Sequence, residues 1–440
     1  MLKRPAMETE SNSDKYFWSA LEYAVHPALF LAFTPVVVNY FGKENYALWL
    51  IFLALVNVGS ILSVGNSAAA LRLIASRTSE LSSRRVLDAL RVAVASGVAT
   101  GLTLATFTFL AIAFLSLEIF SQFPNNQWIS LVALLAPMIL VADQIDVAAT
   151  AALKSHGAFR ENALAEMLFR ATQFVGGVAA AISTGCFGAV FVVHLFASVA
   201  RPAAKLALFQ SVSRTSLWSL LQLRGVLDDM GVFLRMAAWG WVIGAGGMLF
   251  NLADRFIIAM ELGPEQLALY GMLSQIAMQI HAIPAAVLIV NFAQMSRRSE
   301  SVDGRNHAIE LRELLRVNLL FCGAIAFPLA AIGTQFFAYW VGGEYWENLD
   351  GEYYLLLLAY FLLGLNVSLH YYFLSLGKFK EVALANILPG IAAVCVIAVL
   401  IPHFHLFGVI VGRLVYSSLC LMLYGIFYIG LNKSLFVRKF

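Results

Sequence analysis

Glu22, His26, Asp143, Asp146, Glu166, Arg170 and His194 in the first half of the chain fall inside apolar runs of membrane-spanning length, as do Asp254, Arg255, His281, His370 and Arg413 in the second. An ionisable group at the centre of a bilayer costs about 2.5–3.5 kcal/mol on insertion scales, so each is expected to face a cavity or a partner. Glu22 and His26, four residues apart, share a helix face. A carboxylate beside an imidazole could take up and release a proton; an interfacial pair is the plainer use. Asp143 and Asp146, three apart around Gln144, could share a proton or hold a sodium ion; a hydrated mouth is the plainer use. Glu166 and Arg170 read as an intrahelical ion pair. Asp254 joins the carboxylates that could couple to a cation. Arg255, one turn after Asn251, could fork onto an anionic headgroup, as could Arg170 and Arg413. A lock between helices is the plainer use of these arginines.

The elements that must position these groups are membrane helices. The chain is 60% hydrophobic and only 12% charged, where a soluble domain carries roughly 25% charged residues. Apolar runs of about 20 residues, the length of one crossing, recur near 17–40, 46–70, 91–115, 128–152, 163–183, 188–210, 237–260, 267–292, 314–340, 353–376, 382–401 and 407–431. With the N-terminus inside, Lys and Arg collect on one side, including Arg72, Arg77, Arg84, Arg85, Lys154, Arg160, Arg201, Lys205, Arg214, Arg297, Arg298, Lys378 and Lys380, while the other side holds only Lys43. Positive charge marks the cytoplasmic side, so both termini are placed in the cytoplasm.

The second half repeats the first. Gly42–Trp49 recurs as Gly263–Tyr270, Gly157–Ala165 as Gly377–Ala385, and Phe187–Val190 as Phe407–Ile410, at offsets of 220 or 221 residues. The expected fold is therefore an all-α polytopic membrane protein with about 12 transmembrane helices in two parallel six-helix repeats around a central cavity. The expected divisions are a cytoplasmic tail at 1–15, a bundle at 16–210, a linker at 211–236, a second bundle at 237–431 and a tail at 432–440. Pro27 and Pro35 in the first span, and Gly240, Gly244, Gly246 and Gly247 in the seventh, supply bends and close helix contacts.

Other classes are disfavoured. No Walker-type phosphate loop appears, and no outer loop is long enough to fold as a catalytic domain, so no enzyme is expected. Cys186, Cys322, Cys395 and Cys420 show neither a disulfide framework nor zinc spacing. No metal, cofactor or nucleic acid is called for.

Several short segments carry a family likeness in order along nearly the whole chain. They are Gly42–Trp49, Gly65 with Ala70–Ala75, Gly157–Arg160, Asp254–Ala259 with Leu262 and Gly263, Trp340–Tyr345, and Gly377–Lys380. With these the chain resembles the polysaccharide (Wzx-type, O-antigen) flippases of the multidrug/oligosaccharidyl-lipid/polysaccharide exporter superfamily. The chain departs from that family's pattern at Ser63, where an acidic residue is frequent, with Asn66 just after Gly65. The resemblance implies a bacterial inner-membrane protein that moves an undecaprenyl-diphosphate-linked oligosaccharide to the periplasmic leaflet. It implies membrane lipids and polysaccharide assembly proteins, a polymerase and a ligase, as partners. Arg170, Arg255, Arg413 and Asn251 would meet the headgroup, and Gln173, Gln275, Gln279 and Asn291 would line a sugar path. Glu22, His26, Asp143, Asp146 and Asp254 would couple transport to a cation gradient. The alternative is a cation-coupled exporter of small amphipathic solutes or drugs, whose cavity would hold carboxylates and aromatics with few arginines. A lipid II flippase of the same superfamily would usually carry two more spans.

Overall fold

In the computed structural model, residues 12–78, 83–119, 123, 127–213, 226–298, 304–342 and 350–437 are described. They are helical almost throughout, and no strand occurs among them. The order is α1 (Asn12–Asn57), α2 (Ser60–Thr78), α3 (Ser83–Ile119), α4 (Ile129–Ser155), α5 (Phe159–Ala171), a π turn (Thr172–Gly176), α6 (Gly177–Thr184), α7 (Gly188–Ser213), α8 (Val226–Asn251), α9 (Ala253–Glu261), α10 (Gly263–Arg298), α11 (Gly304–Val341), α12 (Asp350–Ser375) and α13 (Phe379–Val437). Among the described residues, eight stretches are long and apolar enough to cross a membrane. Two of them, Val25–Ile74 and Phe379–Leu431, run to 50 and 53 residues, each long enough for two crossings. Non-helical backbone interrupts α1 at Gly42 and α13 at His405.

The sequence repeat is reproduced in the backbone. Gly157 N–H donates to Lys154 O and Ala158 N–H to Leu153 O; at the second copy Gly377 N–H donates to Leu374 O and Lys378 N–H to Phe373 O. These are the paired bonds that close a helix around a left-handed residue. Gly157 and Gly377 take φ of 80° and 70°, where a Cβ would be strained. The same motif thus ends α4 and α12 and redirects the chain into α5 and α13.

One repeat position breaks this economy. Gly185, with φ 65°, closes α6, but its counterpart 220 residues on is His405, with φ 47° and ψ −128°. A left-handed conformation costs an L-residue about 1–2 kcal/mol. His405→Gly is therefore expected to raise the melting temperature of the detergent-solubilised protein, by an amount equivalent to about 1 kcal/mol. A lower melting temperature would show that the exposed imidazole contributes more than the strain removes.

The described chain forms two compact units. The first draws on Met1–Leu29, Val58–Ile112 and Ser130–Trp241. Its apolar core joins Leu73, Leu90, Leu153, Phe209 and Phe233 with a bed of alanines. Helices approach closely there: a Cβ on Gly65 would strike Ala237 O and the Trp241 ring, and one on Gly240 would strike Gly65. The second unit draws on Phe30–Asn57, Ala113–Ile129 and Val242–Phe440. Its core is more aromatic. Trp49 is buried against Phe30, Phe33 and Tyr46, while Tyr372, Phe373 and Tyr424 anchor a second cluster. Of the linker expected at 211–236, residues 214–225 lie outside the described set, and α8 already begins at Val226.

Candidate functional site

The first unit holds a buried ionic cluster assembled from three helices. Asp143, Asp146 and Thr150 follow one stripe of α4, Glu166 and Arg170 stand one turn apart on α5, and Arg201 and Lys205 stand one turn apart on α7. Three- and four-residue spacing puts each set on one helix face. Arg201 reaches all three carboxylates: Nη2 to Asp143 Oδ1 at 2.8 Å, Nε to Asp146 Oδ2 at 3.3 Å and Nη1 to Glu166 Oε1 at 3.2 Å. Lys205 is 1% exposed. Its Nζ donates to Asp146 Oδ2, Glu166 Oε2 and Thr150 Oγ1, each at 2.8 Å. Those three bonds use all the donors an ammonium has. Arg170 Nε pairs with Glu166 Oε1 at 2.8 Å, so the intrahelical pair expected from the spacing forms. Three carboxylates thus meet three cations, Arg170, Arg201 and Lys205, and the cluster is neutral.

Glu22 and His26 border this cluster from α1 with different partners. Glu22 lies 3.0 Å from Lys154 Nζ and accepts from Asn162 Nδ2 at 3.1 Å. His26 Nδ1 lies 3.2 Å from Arg170 Nη1, and its ring meets Phe174 edge-on at 5.4 Å. Phe174 sits on the π turn, a wider helical turn that re-aims side chains and is frequent at functional sites. The next residue back, Gln173, donates to Ser198 Oγ at 2.9 Å.

The departure at Ser63 and Asn66 has a neutral counterpart. Between α1 and α2 the chain turns at Val58 and Gly59, and Gly59 O accepts from the N–H of Leu62 at 3.2 Å and of Ser63 at 3.1 Å and from Ser63 Oγ at 2.9 Å. Gln144 Nε2 donates to Gly59 O and to Ser63 Oγ, both at 2.8 Å. Asn66 Nδ2 donates to Gln144 Oε1 at 3.1 Å and Thr100 Oγ1 at 3.0 Å, and Asn66 Oδ1 accepts from Trp241 Nε1 at 3.1 Å. Here hydrogen-bonded amides stand next to the position where the resembling family often has an acid.

The second unit centres on Asp254, 2% exposed at the start of α9. Arg413 from α13 donates Nε to Asp254 Oδ2 at 2.7 Å and Nη1 to Tyr360 Oη at 2.6 Å. Tyr270 donates to the same carboxylate, and the guanidinium lies 5.6 Å and 5.3 Å from the Tyr270 and Tyr360 ring centres. Arg413 is thus held between helices. Arg255 differs. Its backbone N–H bonds the Asp254 carboxylate, while its Nε is buried without a hydrogen-bond partner among the described residues. The side chains of Asn251 and Asn291 lie outside the described set. Gln279 donates to the Gln275 carbonyl of its own helix at 3.0 Å.

Arg201 and Lys205 were not legible as members of a site. In sequence they sit at the end of an apolar run and read as cytoplasmic anchors. The structure continues α7 to Ser213 and buries both. Their four-residue spacing across Pro202, matching the acidic stripe of α4, is the signal that could have found them. No group of three or more His, Cys, Asp or Glu residues suited to a metal ion occurs among the described residues.

No protein-family model matches the chain, and no curated protein matches it by sequence. Solved structures do. An inward-facing multidrug resistance MATE family transporter of the MOP superfamily aligns at TM-score 0.70 and 14% identity, covering 94% of this chain and 96% of that one. The lipid II flippase MurJ in an inward closed conformation aligns at TM-score 0.71 and 12% identity, covering 93% and 86%. An outward-facing MATE transporter of the same superfamily aligns at 0.67 and 15%, covering 97% and 96%. At such identities the likeness carries the fold. The chain is a multi-pass, all-α membrane protein with the two-repeat architecture of these transporters.

Proposed function

We propose that this protein is a flippase of the cytoplasmic membrane, with both termini inside, that translocates a lipid-linked oligosaccharide carrying an anionic diphosphate, of the O-antigen or exopolysaccharide repeat-unit kind. The observation that carries this reading is a surplus of positive charge. The first unit's cluster balances. In the second, one carboxylate, Asp254, faces Arg413 and is followed by Arg255, whose buried Nε has no hydrogen-bond partner among the described residues. A guanidinium nitrogen that meets no acceptor among the described residues suits a phosphate oxygen. The likeness to a lipid II flippase supports a lipid-linked cargo. A large anionic headgroup cannot cross hydrocarbon unaided, and alternation between inward- and outward-open states would carry it. The carboxylates Asp143, Asp146, Asp254 and Glu22 remain the groups through which a cation gradient would bias that alternation.

The test is complementation of a deletion strain with surface glycan and lipid-linked intermediates both measured. Arg255→Ala at normal protein level is expected to lower surface glycan at least about tenfold, the loss of one charged phosphate contact, and to accumulate lipid-linked repeat units. Arg255→Lys, a point charge without the fork, should recover only part. Wild-type glycan with Arg255→Ala would remove this residue from the headgroup site.

A second reading, cation-coupled export of small amphipathic solutes or drugs, is favoured by the likeness to multidrug transporters and by the tyrosines around Asp254. It predicts normal glycan in the deletion strain and lowered resistance to amphipathic drugs.

A further inference from the structure

A proline inside a helix lacks the N–H that would bond the carbonyl four residues earlier, and its ring pushes that carbonyl outward. In a membrane such a carbonyl has no water to turn to. Three helices of the second unit meet this difficulty in the same way. Pro35 in α1 frees Leu31 O, which accepts from the indole Nε1 of Trp340 at 3.0 Å. Pro284 in α10 frees Ile280 O, 3.6 Å from the Cys322 thiol. Pro389 in α13 frees Ala385 O, 3.0 Å from the Cys420 thiol. In each case a side-chain donor more than 30 residues away in sequence faces the carbonyl, the Cys322 thiol being shared with Asn318 Oδ1 at 3.5 Å. Two of the three donors, Cys322 and Trp340, lie on α11. They are 18 residues apart, about five turns, and so share one face. One turn before Cys322 on that face, Asn318 Nδ2 donates to Gly364 O of α12 at 2.8 Å.

We propose that this face of α11 is a clasp for proline-bent helices, and that Trp340 is the positioning residue that holds α1 by completing the bond Pro35 removes. The indole also stacks on Phe336 at 6.1 Å with planes 15° apart, which keeps its N–H aimed. Bent this way, α1 is held through a side chain that can let go, where an intrahelical bond could not without unwinding a turn. The two buried thiols take the same role on α10 and within α13, which accounts for cysteines with neither a disulfide nor a metal to serve.

The test uses the full-length detergent-solubilised protein and does not depend on the cargo. Trp340→Phe keeps an aromatic ring and removes the N–H, so it should lower the melting temperature and the folded yield. Adding Pro35→Ala supplies a backbone N–H for Leu31 O and should restore most of that loss. Adding Pro389→Ala to Trp340→Phe should restore none of it, because Ala385 O belongs to Cys420. Rescue by Pro35→Ala alone supports the clasp. A Trp340→Phe protein as stable as wild type, or rescue absent or equal with either alanine, overturns it, since a purely packing role for the indole would be indifferent to which proline is changed. If Trp340→Phe yields no folded protein, the same comparison is read from the folded yields of the two double variants.

Discussion

Arg413→Leu is expected to lose most of the folded protein. Asp254 is 2% exposed and Arg413 3% exposed, and the arginine supplies two of the donors on Asp254 Oδ2 as well as the Tyr360 bond. Removing one partner of a buried ion pair typically costs about 3–5 kcal/mol, because the other charge is left without compensation. Native stabilities themselves run only about 5–15 kcal/mol. The variant should therefore show a large drop in melting temperature and in yield. Asp254→Leu in the same chain removes the orphaned charge and should restore much of the loss, since a buried pair and a well-packed apolar pair are often close in stability. An Arg413→Leu protein that melts like wild type would mean that Tyr270 satisfies Asp254 without the arginine. The comparison also separates the two arginines: loss through Arg413 should appear in folded yield, and loss through Arg255 in transport at normal yield.

Lys205→Met should be nearly as damaging, through charge balance as much as hydrogen bonds. The substitution leaves three carboxylates facing Arg170 and Arg201, so one negative charge is buried without a counter-ion. It also strips donors from Asp146 Oδ2, Glu166 Oε2 and Thr150 Oγ1, while Asp146 Oδ1 has no hydrogen-bond partner among the described residues. A cost of about 3 kcal/mol or more follows. Adding Asp146→Asn returns the cluster to two carboxylates and two cations and should recover much of the melting temperature. Lys205→Arg should not substitute well, because a planar fork cannot reproduce three bonds radiating from one nitrogen. Equal stability of Lys205→Met and wild type would show that water or a proton can replace the ammonium there.

These expectations also show where sequence reasoning reached the site and where it stopped. Glu166 with Arg170, and the shared faces of Asp143 with Asp146, follow from helical spacing alone. The cations that meet them come from α7, and nothing in a one-dimensional pattern separates a lysine that anchors a helix end from one that turns inward against acids on two other helices. Glu22 and His26 share a face, yet their nearest polar partners come from α4 and α5, because a side chain at the edge of a bundle bonds whatever the neighbouring helix presents. Asp254 and Arg255 look like a neighbouring pair in sequence. In space the acid belongs to Arg413, 159 residues away, and the Nε of the adjacent arginine has no hydrogen-bond partner among the described residues.

What the sequence by itself determined is the class of molecule and its internal repeat. Hydrocarbon demands helices of about 20 apolar residues, and the paired glycines at 157 and 377 mark the same left-handed helix ends because few other residues take that backbone cheaply. Both are local requirements, and local requirements are written locally. Which charges cancel, what surrounds Arg255 Nε, and which side chains answer Pro35, Pro284 and Pro389 were decided only by the tertiary structure. Each depends on which helices lie within about 3 Å of one another at a given depth, and hydrogen bonds and ion pairs of that length are set by packing across the bundle.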